Sequence, residues 1–185
     1  MNEAEQRTLA AWRSLKQRDR DRVIRLARKS VAKTKAEMER LGLDMFCLED
    51  ADLSGITLKG GPRFNGGLII RCNFNGSDLG LVQFSRVNLS GSTFIGAKLV
   101  NVGFLDCDLS GVDFSGADLE GGFFAQEEGA LTLSGSVFDG ALVQETSFQE
   151  GLPLPFTVDA VKGTPMGYSI CRSPFSSNVT RFIKE

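Results

Sequence analysis

The sequence predicts an all-β solenoid with a helical cap at its N-terminal end. A large apolar residue recurs at intervals of five from Leu48 to Phe148, through 20 repeats interrupted by two changes of phase. Glycine stands two positions after the large residue in 11 of these 20 repeats. A period of five matches neither the 3.6 residues of a helical turn nor the two-residue alternation of a flat strand. The repeat therefore indicates a chain that turns a corner every five residues and stacks successive coils.

The first 43 residues predict a cap for the open end of that stack. Residues 3–41 contain no glycine or proline and place apolar side chains along one side, with Gly42 as a stop. The charged run from Lys16 to Arg22 predicts a break, and hence two helices. The exposed apolar end of a solenoid needs a cap. We therefore expect the second helix to cover the first coil, with Trp12 as an anchor.

Residues 44–150 form the predicted solenoid, because small and large residues alternate within each repeat. A small or modest side chain such as Ala51, Cys72 or Ala117 stands two positions before the large one. Residues two apart in extended chain share one face, so both point inward. The glycine that follows supplies the backbone freedom that a corner requires.

Two segments carry a resemblance to a known family. ADLSG at residues 51–55 and ADLEG at residues 117–121 resemble the A(D/N)LxG-type consensus of pentapeptide-repeat proteins. The resemblance implies a right-handed quadrilateral β-helix with four repeats per coil, and thus about five coils. Two phase slips, near residues 60–62 and at residues 126–129, are expected to loop out. Phenylalanines 20 residues apart would then stack on one face (Phe64, Phe84, Phe104, Phe124), with a second set opposite (Phe74, Phe94, Phe114).

Charge divides the chain at the same boundaries. Residues 1–43 have a net charge of +6, residues 44–150 of −10 and residues 151–185 of +2. The last segment holds four of the five prolines and no repeat, so we expect it to be irregular. The basic helices contain interspersed acids and an apolar stripe, which favours a solvated cap over direct nucleic-acid binding.

Several function classes are excluded or disfavoured by composition. The absence of histidine excludes Ser-His-Asp catalysis and histidine-ligated zinc. The four cysteines have no close spacing, and the aspartates follow the five-residue phase rather than a calcium-loop pattern. We therefore predict no enzyme activity, no cofactor and no metal. The sequence contains no apolar run long enough for a membrane span, which predicts a cytoplasmic protein that does not bind membranes.

The surface then suggests a function. Our first hypothesis is a non-catalytic scaffold that binds another protein through its solenoid faces. The family resemblance implies an alternative, an acidic DNA mimic that binds DNA gyrase or another type II topoisomerase and protects or inhibits it. A host-directed effector or an enzyme accessory domain is a second alternative. The candidate acidic contacts are Asp78, Asp106, Asp108, Asp113, Asp118 and Glu120.

Apolar residues also fall at predicted outward positions. They are Leu68, Ile70, Leu81, Leu105 and Phe123. The terminal segments could cover them, or they could meet a partner or a second copy in a homodimer. Leu105 and Phe123 are the candidate apolar contacts.

Overall fold

The computed structural model describes residues 1–58, 60–149, 152, 154–157, 160–166, 168–172 and 180–184. The helices are α1 (Glu3–Ser14), α2 (Gln17–Ala27) and α3 (Val31–Arg40). The strands are β1 (Cys47–Glu49), β2 (Arg63–Ile70), β3 (Gln83–Asn88), β4 (Gly103–Leu105), β5 (Phe123–Ala125), β6 (Ser147–Phe148), β7 (Tyr168–Arg172) and β8 (Thr180–Lys184).

The cap contains three helices, so the prediction of two is wrong. Leu15 is extended and ends α1, whereas Gln17–Arg22, part of the predicted break, lies within α2. A second break precedes α3, where the Ser30 side chain accepts a hydrogen bond from the backbone N–H of Lys33. Serine favours this N-cap position because its oxygen satisfies an otherwise unpaired N–H of the first turn. This N-cap signal at Ser30 was missed in the sequence.

The first helix covers the start of the solenoid, whereas the sequence predicted that the second helix would do so. Helix α1 packs against β1 and β2, and Trp12 is only 2% exposed, which confirms it as an anchor. The segment after α2 is also joined to the first coil, since Arg28 donates hydrogen bonds to the carbonyls of Asp52 and Ser54 at 2.9 and 3.0 Å. Buried residues of the cap and of the coils form one hydrophobic cluster.

The strands β1 to β6 form one parallel sheet in chain order, and its register confirms four repeats per coil. Phe84 pairs with Phe64 on one side and with Phe104 on the other, each 20 residues away. Isolated bridges repeat this offset elsewhere around the coil, for example between Thr93 and Asp113. The prediction of a β-solenoid of about five coils is confirmed.

Both predicted phase slips are visible in the register. Across residues 60–62 the offset rises by one residue, so Cys47 pairs with Leu68. Across residues 126–129 it rises by four, so Phe124 pairs with Phe148. The extra residues therefore leave the coil without disturbing the inward rows on either side of them.

Two columns of stacked phenylalanine rings fill much of the core. Ring centroids in the column of Phe64, Phe84, Phe104, Phe124 and Phe148 are 4.8 to 5.4 Å apart. The opposite column contains Phe74, Phe94, Phe114 and Phe138 at 4.9 to 5.4 Å. The columns meet edge to face across the core, as between Phe94 and Phe104 at 6.4 Å and 79°. Both geometries are preferred arrangements for aromatic pairs.

The C-terminal segment is less irregular than predicted, and the solenoid continues beyond residue 150. Leu142 bridges Lys162, and the N–H of Val143 donates to the carbonyl of Lys162 at 2.8 Å. The ring of Phe156 packs on Phe138 at 5.1 Å. The apolar repeat ends before this point, but the last full coil still offers backbone groups that need partners. The strands β7 and β8 then pair antiparallel.

Candidate functional site

Each coil presents four outward faces, which we define by the inward residues behind them. The sheet face lies over Phe84 and Phe104, and the second face lies over Leu89 and Leu109. The third face lies over Phe94 and Phe114, and the fourth face lies over Leu99 and Leu119. All of these inward residues are at most 1% exposed.

The six candidate acidic residues lie on different faces. Asp108 is on the second face, Asp113 on the third, and Asp78, Asp118 and Glu120 on the fourth, while Asp106 lies at the corner that follows Leu105. Lys98 bridges Asp78 and Asp118 in the fourth-face column, and its Nζ is 3.8 Å from Asp78 Oδ2. The structure therefore brings only part of the predicted acidic surface together, and there a lysine interrupts it.

Most of these aspartates also have a structural role that sequence reasoning missed. Asp108 Oδ1 accepts a hydrogen bond from the N–H of Ser110 at 3.0 Å, and Asp113 Oδ1 accepts one from Ser115 at 2.8 Å. Asp118 and Asp78 repeat this contact two residues onward. A side-chain acceptor two residues before a backbone N–H stabilises a turn. The available signal was that Asp or Asn stands directly before the large residue in seven of the 20 repeats.

Asp106 binds the looped-out segment instead. Its carboxylate accepts N–H groups of Glu127 at 2.8 Å and Glu128 at 3.3 Å. Partial burial raises the pKa of Asp106, but hydrogen bonds from the loop backbone and the nearby charge of Arg86 outweigh it, so the pKa is lowered. Asp106 therefore holds residues 126–129 against the corner, and its carboxylate already has hydrogen-bond partners within the chain.

The two candidate apolar contacts line one groove on the sheet face. Leu105 and Phe123 are partly exposed, and with Arg63, Gln83 and Arg86 they border a groove of about 290 Å³. The ring of Phe123 lies over Gly103, where a methyl group would collide with it and with the carboxamide of Gln83. Gly103 thus creates the space that the end of the aromatic ring occupies.

The other predicted outward apolar residues differ from one another. Leu68 and Ile70 are buried, at 0% and 5% exposure, because α1 packs against β2. Leu81 is 59% exposed and has a positive φ of 67° at a corner. Of the two alternatives for Leu68 and Ile70, coverage by a terminal segment is therefore the one that the structure supports, because the cap covers both residues.

An ion-pair network joins the cap to the first coil. Glu49 has a side chain that is 6% exposed and accepts hydrogen bonds from Arg13 at 2.6 Å and Arg71 at 2.7 Å. The hydrogen bonds from Arg13 lower the pKa of Glu49; burial opposes this, and Arg71 adds to the lowering. Arg71 also contacts Asp50 at 2.8 Å. This network fixes α1 onto β1 from the side.

The structure describes the side chains of three of the four cysteines, and these three are poor candidates for chemistry. Cys47, Cys72 and Cys107 are free and buried, and burial raises the pKa of each thiol to about 12. Within the described ranges no group of three or more His, Cys, Asp or Glu side chains could hold a metal ion. None of the helices described is both long enough and apolar enough to cross a membrane.

Two solved structures illustrate what this chain is similar to. QnrB1, a plasmid-mediated fluoroquinolone resistance protein, matches in a trypsin-treated form with 19% identity, over 63% of this chain and 67% of that chain, at a TM-score of 0.35. HetL is a pentapeptide repeat protein involved in heterocyst differentiation regulation in the cyanobacterium Nostoc sp. strain PCC 7120. It matches with 18% identity, over 55% and 57% of the two chains, at a TM-score of 0.24. No curated protein gives a significant sequence match.

The family model of pentapeptide repeats matches in eight copies, over residues 69–104 and 107–126. These residues include the repeats whose register and stacked rings are described above. The chain therefore contains pentapeptide repeats over residues 69–104 and 107–126.

Proposed function

We propose that the chain is a non-catalytic scaffold that binds another protein through a face of its solenoid. The observation that supports this most directly is the position of Leu105 and Phe123. Both lie partly exposed beside one groove, although the inward rows already supply a complete core. A grouped, partly exposed aromatic and aliphatic pair is typical of a protein contact.

The backbone supports the same proposal. Each coil is hydrogen-bonded to its neighbours, for example from Asp118 N–H to the carbonyl of Ala97 at 2.9 Å. Outward side chains on one face are therefore held in rows with the strand spacing of about 4.8 Å. A rigid surface loses little conformational entropy when a partner binds.

Site-specific photo-crosslinking tests the proposal. A photo-crosslinking amino acid would replace one outward residue on each face: Gln83, Ser110, Ser115 or Glu120. In cells that express the chain, we expect an adduct of discrete mass from at least one face, and none from the others. The absence of an adduct from every face would contradict a scaffold function.

An acidic DNA mimic that binds gyrase or another type II topoisomerase is the second candidate. The third face supports it, because Asp113 and Asp139 project there and the outward rows at residues 73, 75, 93, 95, 113, 115, 137 and 139 contain no lysine or arginine. A one-signed face concentrates the field that a DNA-binding protein recognises.

A supercoiling assay with purified gyrase, with and without a fluoroquinolone, tests this candidate. We expect the chain to inhibit supercoiling or to restore it in the presence of the drug, and Asp113→Lys with Asp139→Lys to abolish the effect. The control is Ser115→Ala, which changes the same face without its charge. No effect at micromolar protein would remove this candidate.

A further inference from the structure

We propose that the groove on the sheet face binds an acidic peptide segment that carries a large apolar side chain. This rests on the proposed scaffold function and names the class of its partner. The apolar side chain would pack against Leu105 and Phe123, and the carboxylates of the peptide would meet Arg63 and Arg86, all four of which border the groove.

Charge on the sheet face differs from that of the solenoid as a whole. Residues 44–150 have a net charge of −10, yet the outward positions at 63, 65, 83, 85, 103, 105, 123, 125, 147 and 149 contain one charged side chain, Arg63. Arg63 is exposed and forms no ion pair among the described residues. The acids lie on the other three faces and at the corners.

Arg86 adds a second cation at the corner beside the groove. Its only ion pair within the described residues is with Glu128, at 3.8 Å, and the two side chains are 57% and 82% exposed. Such a long, solvated pair contributes little stability and is easily exchanged for another carboxylate. Asp106, on the neighbouring coil at this corner, interacts with the charge of Arg86 but uses its carboxylate oxygens as acceptors for the loop backbone. A carboxylate of a partner therefore meets arginines that are available for bidentate contacts.

The apolar part of the groove has room for an inserted side chain of a partner. Phe123 lies over Gly103 and leaves Leu105 beside it in the neighbouring outward row, since Gly103 pairs with Phe123 and Leu105 with Ala125. A volume of about 290 Å³ accommodates one or two side chains and their backbone. Phenylalanine and arginine are both enriched at protein–protein interfaces relative to the rest of the surface.

The test uses fluorescence polarisation with three labelled octapeptides and the full chain. One peptide alternates glutamate with phenylalanine, the second glutamate with serine, and the third lysine with phenylalanine. We expect the first to bind, with an affinity that falls as salt rises, and the other two to bind at least about ten-fold more weakly.

Variants identify the groove. Arg63→Glu combined with Arg86→Glu, and separately Phe123→Ser, should each weaken the first peptide at least about ten-fold. The matched controls are Arg25→Glu, an exposed arginine of α2, and Ile95→Ser, which is 43% exposed on the third face. They should change binding less than about two-fold. Melting curves by circular dichroism verify that each variant is folded, and the arginine variants retain the test if Phe123→Ser unfolds.

Three results would overturn the proposal: no binding of the acidic aromatic peptide at millimolar concentration, equal binding of the lysine peptide, or unchanged binding by the groove variants. A dimer in light scattering that Phe123→Ser dissociates would assign the groove to a second copy and also overturn it. If no peptide binds but a crosslinked adduct forms from another face, the proposed scaffold function is retained and only the groove proposal is rejected. If no face gives an adduct, both proposals are rejected.

Discussion

The ring of Phe123 lies over the backbone of Gly103, its partner in the parallel ladder between β4 and β5. The missing side chain at Gly103 is thus what allows the aromatic ring to approach the backbone of the neighbouring strand. Glycine in a strand often marks a close approach of another group, and here that group is a side chain of the next coil.

A methyl group added at Gly103 should disturb the groove while leaving the fold nearly unchanged. Gly103→Ala should change the free energy of unfolding by no more than about 1 kcal/mol, because the colliding atoms are the far ends of Phe123 and Gln83. It should displace the ring and weaken binding of the acidic aromatic peptide. Gly61→Ala is the contrast, since its methyl would lie 2.7 Å from the backbone oxygen of Leu81 at a φ of 57°. Chemical denaturation should show a clearly larger loss of unfolding free energy for Gly61→Ala than for Gly103→Ala. Equal losses would show that the methyl group at Gly103 cannot be accommodated by side-chain movement.

A corner glycine isolates the cost of backbone conformation. Gly76 has a φ of 63° and open space where a methyl group would stand, whereas Gly80 lacks a positive φ and would make only ordinary contacts at 3.5 Å. Gly76→Ala should therefore lower the free energy of unfolding by about 1 to 2 kcal/mol, the cost of a left-handed L-residue. Gly80→Ala should be close to neutral. Denaturant titrations of the two variants measure both free energies of unfolding. A larger loss of stability in Gly80→Ala than in Gly76→Ala would refute the corner assignment.

We expect the same substitution to have opposite effects on stability at two buried threonines of the cap. The hydroxyl of Thr8 is buried and has no hydrogen-bond partner among the described residues, while Thr34 donates to the carbonyl of Ser30 at 2.7 Å. Thr8→Val should raise the free energy of unfolding by about 1 kcal/mol, because it removes an unsatisfied polar group without changing shape. Thr34→Val should lower it by a similar amount. Thermal unfolding of both variants provides the measurement, and a loss of stability in Thr8→Val would contradict the packing described for α1.

The attachment of the cap should depend on acid. Hydrogen bonds from Arg13 hold the folded-state pKa of Glu49 below its ordinary value of 4.5, despite the opposing effect of burial. A depressed carboxylate pKa stabilises the fold fully above the unfolded pKa, and this stability is lost as pH falls through the folded pKa. Stability should therefore fall below about pH 4.5 in the wild type, and part of that fall should vanish in Glu49→Gln.

Unfolding curves from pH 7 to pH 3 follow this effect. Glu39→Gln, an exposed residue of α3 with no ion pair among the described residues, is the control and should retain the full acid dependence. An unchanged pH profile in Glu49→Gln would show that the network around Arg13 and Arg71 does not hold the cap.

The central solenoid was predictable because every repeat reports the same geometry. Phe84 and Phe104 fall on one wall because four five-residue repeats complete one coil, and the insertion at residues 126–129 shifted the phase by the number of residues that left the coil. The cap and the C-terminal segment lack this redundancy. A single N-cap at Ser30 divided a predicted helix, and hydrogen bonds to the last coil ordered Lys162 although no apolar repeat marks it.

The surface was harder to predict than the core. The five-residue phase says that Leu68 points out of the coil, but it does not say that α1 covers that strand. It likewise places Asp113 outside the core without showing that its oxygen holds the following turn. The grouping of Leu105 with Phe123 depends on the absent side chain at Gly103, which looks in the sequence like an ordinary small residue.

Scalar couplings through backbone hydrogen bonds test the four-repeat coil most directly. In a uniformly labelled protein, nuclear magnetic resonance should detect a coupling from the amide nitrogen of Thr93 to the carbonyl carbon of Cys72, where the N–O distance is 2.9 Å. The same coupling should join Asp113 to Ser92, at 3.1 Å. Couplings from these amides to carbonyls at any other sequence separation would contradict the stacked coils.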